Sequence, residues 1–192
     1  MTTTTTPREY ARQSAISQDG TVAVVHHHPS MSGFALRVLA LLRIAFGLTF
    51  LWAFVDKVFG LGYGTPTEGA WVNGGSPTEG FLANAAAGPF ADFYHSIAGA
   101  AWADGLFMLG LLGLGVALTL GIGMRVAGLA GAALYMMMWS VVLPPENNPV
   151  IDDHILGAIT MVFLAVTNAG DTWGMGKTWS QTKLVRRYPV LR

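Results

Sequence analysis

Ionisable side chains lie at or beside the ends of long apolar segments in this sequence. Asp56 and Lys57 end the first segment, Asp153 and His154 begin the last one, and Glu146 lies in the turn before it. Charged groups in or beside membrane helices are energetically expensive, so each is a candidate functional residue. A histidine beside carboxylates can bind and release protons near neutral pH. The pattern predicts a proton-transfer site, and its candidate catalytic residues are His154, Asp153 and Glu146.

Quinone chemistry requires the kinds of group that this cluster would supply. A quinone needs an apolar slot for its ring, hydrogen-bonding groups at its carbonyls and a proton path when it gains two electrons. Aromatic and methionine-rich segments lie near the cluster, including the run from Met136 to Trp139. We therefore expect a quinone as the electron acceptor. The candidate substrate- or quinone-binding residues are Lys57, Asp56, His95, Arg43 and Trp52.

A purely structural interpretation of the same residues stays open. Asn148 and Pro149 have the pattern of an N-cap and a first helical residue, so the acids in the next turn would complement the helix dipole. Asp56 and Lys57 would likewise form an ordinary charge pair where a helix meets the membrane interface. The residue types alone do not separate the two interpretations.

Arg43 lies inside the first apolar segment, 13 residues before Asp56, which corresponds to about 20 Å along a helix. A charge near the bilayer centre costs about 2.5–3.5 kcal/mol on insertion scales. We expect the side chain to snorkel to the nearer interface, which removes most of that cost. The alternative is an inward-facing arginine bonded to a carbonyl or a ligand oxygen. Arg43, Phe50 and Lys57 recur every seven residues and therefore share one helix face.

The composition indicates a membrane protein. The 192 residues are 52% hydrophobic and 11% charged, whereas soluble domains contain about 25% charged residues. The net charge of zero offers no basic surface for nucleic acid. Cysteine is absent, which excludes disulfides, thiolate-bound zinc and iron–sulfur clusters held by this chain. Only His95 and His154 lie outside the N-terminal tail, so we predict neither a haem nor a metal site.

Four apolar segments approach the roughly 20 residues that cross a bilayer. They cover residues 34–59, 105–124, 126–143 and 151–169. The second segment contains Gly113, Ala117 and Gly121 at four-residue spacing, which favours close helix packing. We predict an all-α fold, an integral membrane four-helix bundle over residues 34–170, with the lipid bilayer as its environment.

The distribution of charge predicts the orientation of this bundle. Ten of the eleven basic residues share one side of the membrane if the N-terminus is cytoplasmic, and Lys57 is the exception. The ten are Arg8, Arg12, Arg37, Arg43, Arg125, Lys177, Lys183, Arg186, Arg187 and Arg192. Because cytoplasmic segments of membrane proteins are rich in Lys and Arg, we predict a multi-pass protein of the plasma membrane with both termini in the cytoplasm.

The segments outside the predicted helices differ in character. Residues 1–33 contain five consecutive threonines and three consecutive histidines and have no apolar period, so we predict a disordered cytoplasmic tail. Residues 171–192 form a basic cytoplasmic tail. The connection from Gly60 to Ala103 is long for a small bundle, and such connections are often functional.

Two short helices are predicted within this long outer loop. The run Ser76-Pro77-Thr78-Glu79 has the pattern of a capping box that opens a helix. Pro89 opens a second helix. Its apolar face comprises Phe90, Phe93, Tyr94 and Ile97. We expect both helices to be interfacial, on the outer membrane surface or at the mouth of the bundle.

Several motifs point together to a known family. The first helix contains Leu42-Arg43-Ile44, the loop contains Gly74-Gly75-Ser76-Pro77-Thr78-Glu79-Gly80-Phe81-Leu82, and the turn after the second helix contains Gly121-Ile122-Gly123-Met124-Arg125. The most specific run is Leu143-Pro144-Pro145-Glu146-Asn147-Asn148-Pro149, followed by Asp152-Asp153-His154-Ile155. With these motifs, residues 41–177 resemble the DoxX family, which includes the membrane subunit of thiosulfate:quinone oxidoreductase.

This resemblance implies a membrane subunit that passes electrons from a small sulfur donor to the quinone pool, with thiosulfate oxidised to tetrathionate on the outer side. It also implies a second protein subunit. On this interpretation the chain is a subunit of a thiosulfate dehydrogenase (quinone). Lys57 or His95 would help to bind the sulfur anion, and Asp153 and His154 would handle the quinone protons. Without cysteine, either two thiosulfates couple through electron withdrawal alone or the partner carries out the sulfur chemistry.

The alternative function is a non-catalytic membrane anchor or scaffold for a soluble redox partner. Some members of the family resemble anchors in complexes with superoxide dismutase and a sulfurtransferase. The partner would bind the basic tail, residues 183–192. The sequence leaves open whether the chain is itself an enzyme.

Overall fold

The computed structural model describes residues 15–16, 22–23, 31–146 and 148–192. In the N-terminal unit, β1 (Ala15–Ile16) pairs antiparallel with β2 (Val22–Ala23). The other residues of the predicted N-terminal tail, up to residue 30, lie outside the described residues. The prediction that this tail is disordered concerns those residues. The second unit, Phe34–Arg192, contains the predicted membrane domain.

From residue 31 onward, the described chain is entirely helical apart from turns and connecting segments. The longer α-helices are α1 (Gly33–Phe59), α4 (Ala101–Leu120), α5 (Met124–Val141) and α6 (Asp153–Val166). The short ones are α2 (Glu79–Asn84), α3 (Ala91–Ile97), α7 (Gly176–Ser180) and α8 (Lys183–Arg187). Single 3-10 turns cover Thr67–Gly69, Trp71–Asn73, Gly88–Phe90, Ala169–Asp171 and Pro189–Leu191. The predicted all-α class is confirmed.

Three helices, α1, α4 and α5, are long and apolar enough to cross a membrane. The fourth apolar helix, α6, has 14 residues and a length of about 21 Å, which is less than the roughly 30 Å of a bilayer core. It is shorter than the predicted segment 151–169 because local caps limit it. The Asp152 side chain caps its first turn, and Asn168 just beyond its end has a left-handed φ of 48°. Four membrane crossings therefore stay a prediction.

The long helices pack as antiparallel neighbours through glycine contacts. A Cβ atom at Gly47 in α1 would lie 2.5 Å from Thr119 in α4, and one at Gly115 in α4 would lie 2.6 Å from Leu51 in α1. A Cβ atom at Gly128 in α5 would likewise approach α6. These positions must be glycine for the backbones to come so close.

The predicted small-residue stripe on α4 makes a close contact at Gly121, where a Cβ atom would lie 2.9 Å from Gly170 Cα, but not at Gly113. A Cβ atom at Gly113 would meet nothing within 4 Å, whereas Gly115, two residues further on, packs against Leu51. Gly121 contributes through its left-handed φ of 72°, which ends α4. Four-residue spacing alone could not identify which face of the helix meets its neighbour.

The two ends of the bundle differ in charge. The end that we call the Arg43 end contains Arg43, Arg125 and Arg192, where α4 and α6 terminate and α5 begins. The opposite end, the His154 end, contains Asp56, Asp104 and the acids beside His154, where α1 terminates and α4 and α6 begin. This separation agrees with the charge pattern of the sequence.

The loop between α1 and α4 contains the two predicted short helices. The Glu79 backbone N–H donates to Ser76 Oγ at 3.1 Å, which is one of the two bonds of a capping box. The α-helix begins at Glu79 rather than at Pro77. The predicted apolar face of α3 is divided, because Tyr94 is buried beside Val141 while Phe93 is exposed.

Residues 171–192 are folded against the Arg43 end. The Arg125 backbone N–H donates to the Arg192 carbonyl at 2.7 Å, and Trp179 Nε1 donates to the Leu191 carbonyl at 2.6 Å. Arg192 also pairs with Asp171 at 3.0 Å. The basic segment is therefore held beside the start of α5, and its exposed cations are Lys177, Lys183, Arg186 and Arg187.

Candidate functional site

His154 and Asp152 form a bonded pair at the start of α6. Asp152 Oδ1 accepts the backbone N–H groups of His154 and Ile155 at 3.1 and 3.2 Å, which caps the helix. Asp152 Oδ2 lies 2.7 Å from His154 Nδ1. The same carboxylate therefore fixes both the helix start and the orientation of the imidazole.

The environment of Asp152 favours its ionised form. Burial raises the pKa of this carboxyl, but hydrogen bonds from the His154 side chain and from the Ile155 and His154 backbone outweigh burial. The net result is a pKa below the ordinary value for aspartate. An ionised Asp152 accepts the Nδ1–H of His154, which leaves the imidazole Nε2 available to accept a proton.

Asp153 differs from its neighbour in exposure. Its side chain is 92% exposed, against 13% for Asp152 and 15% for His154, and its Oδ1 lies 3.6 Å from His154 Nδ1. Asp153 therefore adds a solvated negative charge beside the pair. Solvent can exchange protons with the cluster on this side.

Tyr135 of α5 completes the cluster and was not identified from the sequence. Its ring centroid lies 6.4 Å from that of His154 in an edge arrangement. Two rings of α1 flank it, with centroids 5.8 Å away at Phe50 and 6.3 Å away at Phe46. A Cβ atom at Gly157 would lie 2.7 Å from the Tyr135 ring, so this glycine makes room for it. The arrangement places an aromatic wall and a hydroxyl-bearing ring beside a carboxylate-bound imidazole.

Asp56 is buried, but it binds its own loop rather than His154. Its Oδ2 accepts the Gly64 backbone N–H at 2.9 Å, and its Oδ1 accepts that of Tyr63 at 3.3 Å. The carboxylate is 3% exposed. Through these bonds Asp56 fixes the turn after α1. Both of its carboxylate oxygens already accept hydrogen bonds, so neither is free to bind a substrate.

Lys57 and Trp52 lie towards the His154 end of α1 and face different neighbours. Lys57 Nζ lies 6.0 Å from the centroid of the Phe107 ring in α4. Trp52 is about half exposed, and its ring packs edge-on against Tyr63 at 5.1 Å. Lys57 is on the face of α1 that includes the buried Phe50, one heptad closer to the helix end. No described contact joins Lys57 to Tyr135 or His154.

His95 and Glu146 are exposed. His95 lies on α3, and its neighbour Tyr94 is the residue that anchors this helix, through a 2.6 Å bond between the Tyr94 hydroxyl and Ser140. Glu146 lies in the turn between α5 and α6. No contact described in the structure links either side chain to His154, so the predicted grouping reduces to His154 with its acidic neighbours.

The expectation that Arg43 snorkels to the interface is wrong. The side chain is fully buried, and its guanidinium donates to the carbonyls of Leu118, Thr119, Thr172 and Trp173, the last at 2.9 Å. The final carbonyls of a helix have no intrahelical partner and are the negative end of its dipole. The inward-facing alternative is therefore observed, with Arg43 joining the end of α4 to the segment after α6.

Asp104 at the start of α4 is a further buried acid that sequence reasoning did not single out. Its Oδ1 accepts Thr78 Oγ1 at 2.6 Å, the Thr78 backbone N–H at 3.0 Å and Ser76 Oγ at 2.8 Å. These bonds fix the loop before α2 to the bundle. The clustering of hydroxyl residues around Pro77 was the available signal, but their partner is distant in sequence.

Asp152, Asp153 and His154 each have one atom of a type that can bind a metal ion, and these three atoms lie within 4.8 Å of one another. The three residues are consecutive, and both oxygens of Asp152 already accept hydrogen bonds within the helix cap. The arrangement is accounted for by capping, and it gives no reason to assign a metal.

Two surface grooves lie away from this cluster. One, of about 790 Å³, runs between α4 and α5 and has almost entirely apolar walls, including Gly113 and Ala130. The other, of about 440 Å³, lies between α5 and α6 near Arg125. His154 and Tyr135 line neither groove, so a ligand of the cluster would approach the exposed edge of His154.

Comparisons of the chain with protein-family models, with curated proteins and with solved structures found no significant match. The resemblance to the DoxX family therefore stays a prediction from the motifs.

Proposed function

We propose that this chain is the membrane subunit of a quinone-coupled oxidoreductase in which His154 carries protons to the quinone. The observation that carries the proposal is the half-buried imidazole of His154, held 2.7 Å from the Asp152 carboxylate and against the Tyr135 ring. Histidine is suited to proton transfer near neutral pH, and the bonded carboxylate fixes the orientation of the ring.

The groups around His154 are of the chemical types that bind a quinone headgroup. Tyr135, which packs against Phe46 and the buried Phe50, supplies an aromatic ring, and the imidazole supplies a hydrogen-bond partner for a quinone carbonyl. Because the Tyr135 ring fills the space beside Gly157, the headgroup would meet His154 at its exposed edge. A bound quinone supplies the two-electron chemistry. The residues of this chain orient its ring and move protons between solvent and His154.

Thiosulfate is the electron donor that the DoxX resemblance suggests. Two thiosulfate ions joined by a new S–S bond give tetrathionate and release two electrons, and a quinone that takes these electrons also takes two protons. The chain has no cysteine, so it forms no thiol intermediate with the donor. The sulfur step would therefore proceed by direct electron withdrawal or on a partner subunit. Lys57, half-buried near the end of α1, is the cation best placed to attract the anionic donor.

We place the chain in the plasma membrane, with the His154 end outside and the Arg43 end in the cytoplasm. The support is the charge separation between the two ends, because Lys and Arg concentrate in the cytoplasmic segments of membrane proteins. This orientation would expose the His154 cluster to donors on the outer surface.

Quinone reduction by the purified protein tests the proposal. A soluble quinone analogue would be supplied with thiosulfate or with sulfite, and its absorbance followed for wild type, His154→Gln and Asn84→Ala. We expect thiosulfate-dependent reduction by wild type and a loss of at least about a hundredfold in His154→Gln, in line with the usual contribution of a general acid or base. Asn84→Ala should retain wild-type activity because Asn84 is exposed on α2 and is not one of the candidate site residues. Equal activity of the two variants would contradict the role of His154.

The rival function is the non-catalytic anchor for a soluble redox partner. One observation favours it, namely that α8 presents Lys183, Arg186 and Arg187 as exposed cations. An anchor would show no turnover with any donor, and it would co-purify with a partner that Lys183→Glu releases. Retained partner binding together with absent quinone reduction would replace the oxidoreductase proposal with this one.

A further inference from the structure

The groove between α5 and α6 at the Arg43 end combines apolar walls with a polar end. Leu129, Val162 and Val166 contribute apolar side chains, and Leu129 and Val166 are 74% and 69% exposed. Arg125 and Asn168 lie where the groove reaches the ends of the two helices. The volume of about 440 Å³ suits a chain-like apolar ligand with one charged end.

Arg125 is exposed, and its described hydrogen bonds go to main-chain oxygens. Its Nη1 donates to the Pro189 carbonyl at 3.1 Å, and its backbone N–H donates to the Arg192 carbonyl at 2.7 Å. The Pro189 carbonyl is a neutral acceptor, and no acidic side chain lines the groove. Residues 154–192 contain five basic residues but one acid, Asp171, which is already paired with Arg192 at 3.0 Å. Arg125 is therefore the charged side chain that the groove lining offers to a ligand.

A groove of this kind in a bilayer is filled by lipid. Acyl chains are the solvent for the exposed faces of membrane helices, and the helix ends lie at the depth of the phosphate groups. Arginine binds phosphate oxygens through its planar array of N–H donors. Basic residues near a membrane surface also attract anionic lipids by about 1 kcal/mol each.

From these observations we infer that the groove binds one anionic phospholipid. Its acyl chain lies along Leu129, Val162 and Val166, and its phosphate lies at Arg125 beside the Asn168 amide. The inference depends on the membrane environment and not on the oxidoreductase proposal. The larger groove between α4 and α5 has no charged residue in its lining, so it offers no comparable preference for a headgroup.

Native mass spectrometry of the detergent-purified protein tests the headgroup. Phosphatidylglycerol and phosphatidylcholine with identical acyl chains would be added in equal amounts to wild type, Arg125→Gln and Arg37→Gln. We expect wild type to retain phosphatidylglycerol in preference to phosphatidylcholine. Arg125→Gln should reduce retention of phosphatidylglycerol by about fivefold, the factor expected for loss of one basic residue near an anionic headgroup. Arg37→Gln should leave it unchanged, because Arg37 is exposed on α1 and does not line the groove.

A second pair of variants tests the acyl-chain contact. Val166→Phe adds bulk inside the groove and should reduce retention of both lipids. Val116→Phe makes the same exchange on α4, outside both grooves, and should have no effect. Circular dichroism would check that each variant retains wild-type helix content. Equal retention of the two lipids by wild type, or an equal loss in Arg125→Gln and Arg37→Gln, would overturn the inference.

Discussion

Arg43 and His154 are ionisable residues within the same bundle, but their partners give them different roles. Arg43 donates to four backbone carbonyls, which are fixed acceptors and take up no proton. His154 faces the Asp152 carboxylate, and its side chain is 15% exposed. Residue type and hydropathy identified both as exceptional. Only the neighbours distinguish a residue that stabilises a helix end from one that can transfer protons.

Replacing Arg43 should destabilise the bundle more than replacing an exposed arginine. Arg43→Met leaves buried carbonyls without donors, and each unsatisfied buried group costs about 1–3 kcal/mol. We expect a loss of several kcal/mol, measured by thermal or denaturant unfolding in detergent. Arg43→Lys should recover part of it, because a single ammonium cannot span the carbonyls of both α4 and the segment after α6. If Arg37→Met proved equally damaging, the carbonyl contacts would not be the cause.

The Asp152 carboxylate should make stability depend on pH. Its pKa is lowered in the folded protein, so its contribution is fully present above the ordinary aspartate pKa of about 3.9 and is lost as pH falls through the lower folded pKa. Asp152→Asn retains a capping side chain but loses the charged bond to His154. We expect it to cost about 1 kcal/mol at pH 7 and progressively less below about pH 4.

Melting curves of wild type, Asp152→Asn and Asp153→Asn between pH 3 and 8 would measure this dependence. Asp153 is the matched control because it lies in the same turn and is 92% exposed. Its replacement should change stability little at any pH. A constant difference between wild type and Asp152→Asn across the whole range would contradict the proposed ionised pair.

The sequence predicted some of the residue contacts and missed others, and the difference has a physical reason. The local pattern correctly indicated acids and a histidine at a helix start, because capping depends on neighbours in the chain. Tyr135 was missed because its contact with His154 depends on how α5 and α6 are rotated about their axes. The snorkelling expectation for Arg43 failed because its partners lie about 75 and 130 positions away in sequence.

At the scale of elements, glycine positions determine how closely the helices approach. The contact of α4 with α1 is made at Gly115, while Gly113 on the same helix faces the open groove. The four-residue spacing in the sequence indicated a face of α4 that includes Gly113. A pattern of small residues identifies a helix face, but it does not identify the element that packs against that face. Helix boundaries were predicted to within about four residues. The deviations occur at caps such as Gly121, which hydropathy does not detect.

Alanine substitution at these two glycines should have opposite effects. Gly115→Ala would place its Cβ 2.6 Å from Leu51 Cγ and 2.9 Å from the Leu51 backbone nitrogen, so the helices must separate. We expect a loss of about 1–3 kcal/mol, the usual range for overpacking. Gly113→Ala has open space and should be neutral or slightly stabilising, because alanine favours helix. Unfolding in detergent would measure both, and equal effects would contradict the described α1–α4 contact.

For the whole molecule, the principal feature is the separation of charge between the ends of an apolar helical bundle. The composition predicted a helical membrane protein, and the three long apolar helices agree with it. The sequence also predicted that basic residues collect at one end, where Arg43, Arg125 and Arg192 are indeed found. It gave no indication that residues 171–192 fold back on α5, because helices of five residues have too short a pattern to detect. The number of crossings and the orientation remain predictions.

The central claim is that the His154 end and the Arg43 end lie on opposite sides of one bilayer. The chain has no cysteine, so single-cysteine variants provide a direct test. His95→Cys on α3 and Gln181→Cys between α7 and α8 both introduce an exposed thiol. Labelling of intact cells with a membrane-impermeant maleimide should modify His95→Cys at once and Gln181→Cys only after permeabilisation. Modification of both thiols in intact cells, or of Gln181→Cys alone, would contradict the account.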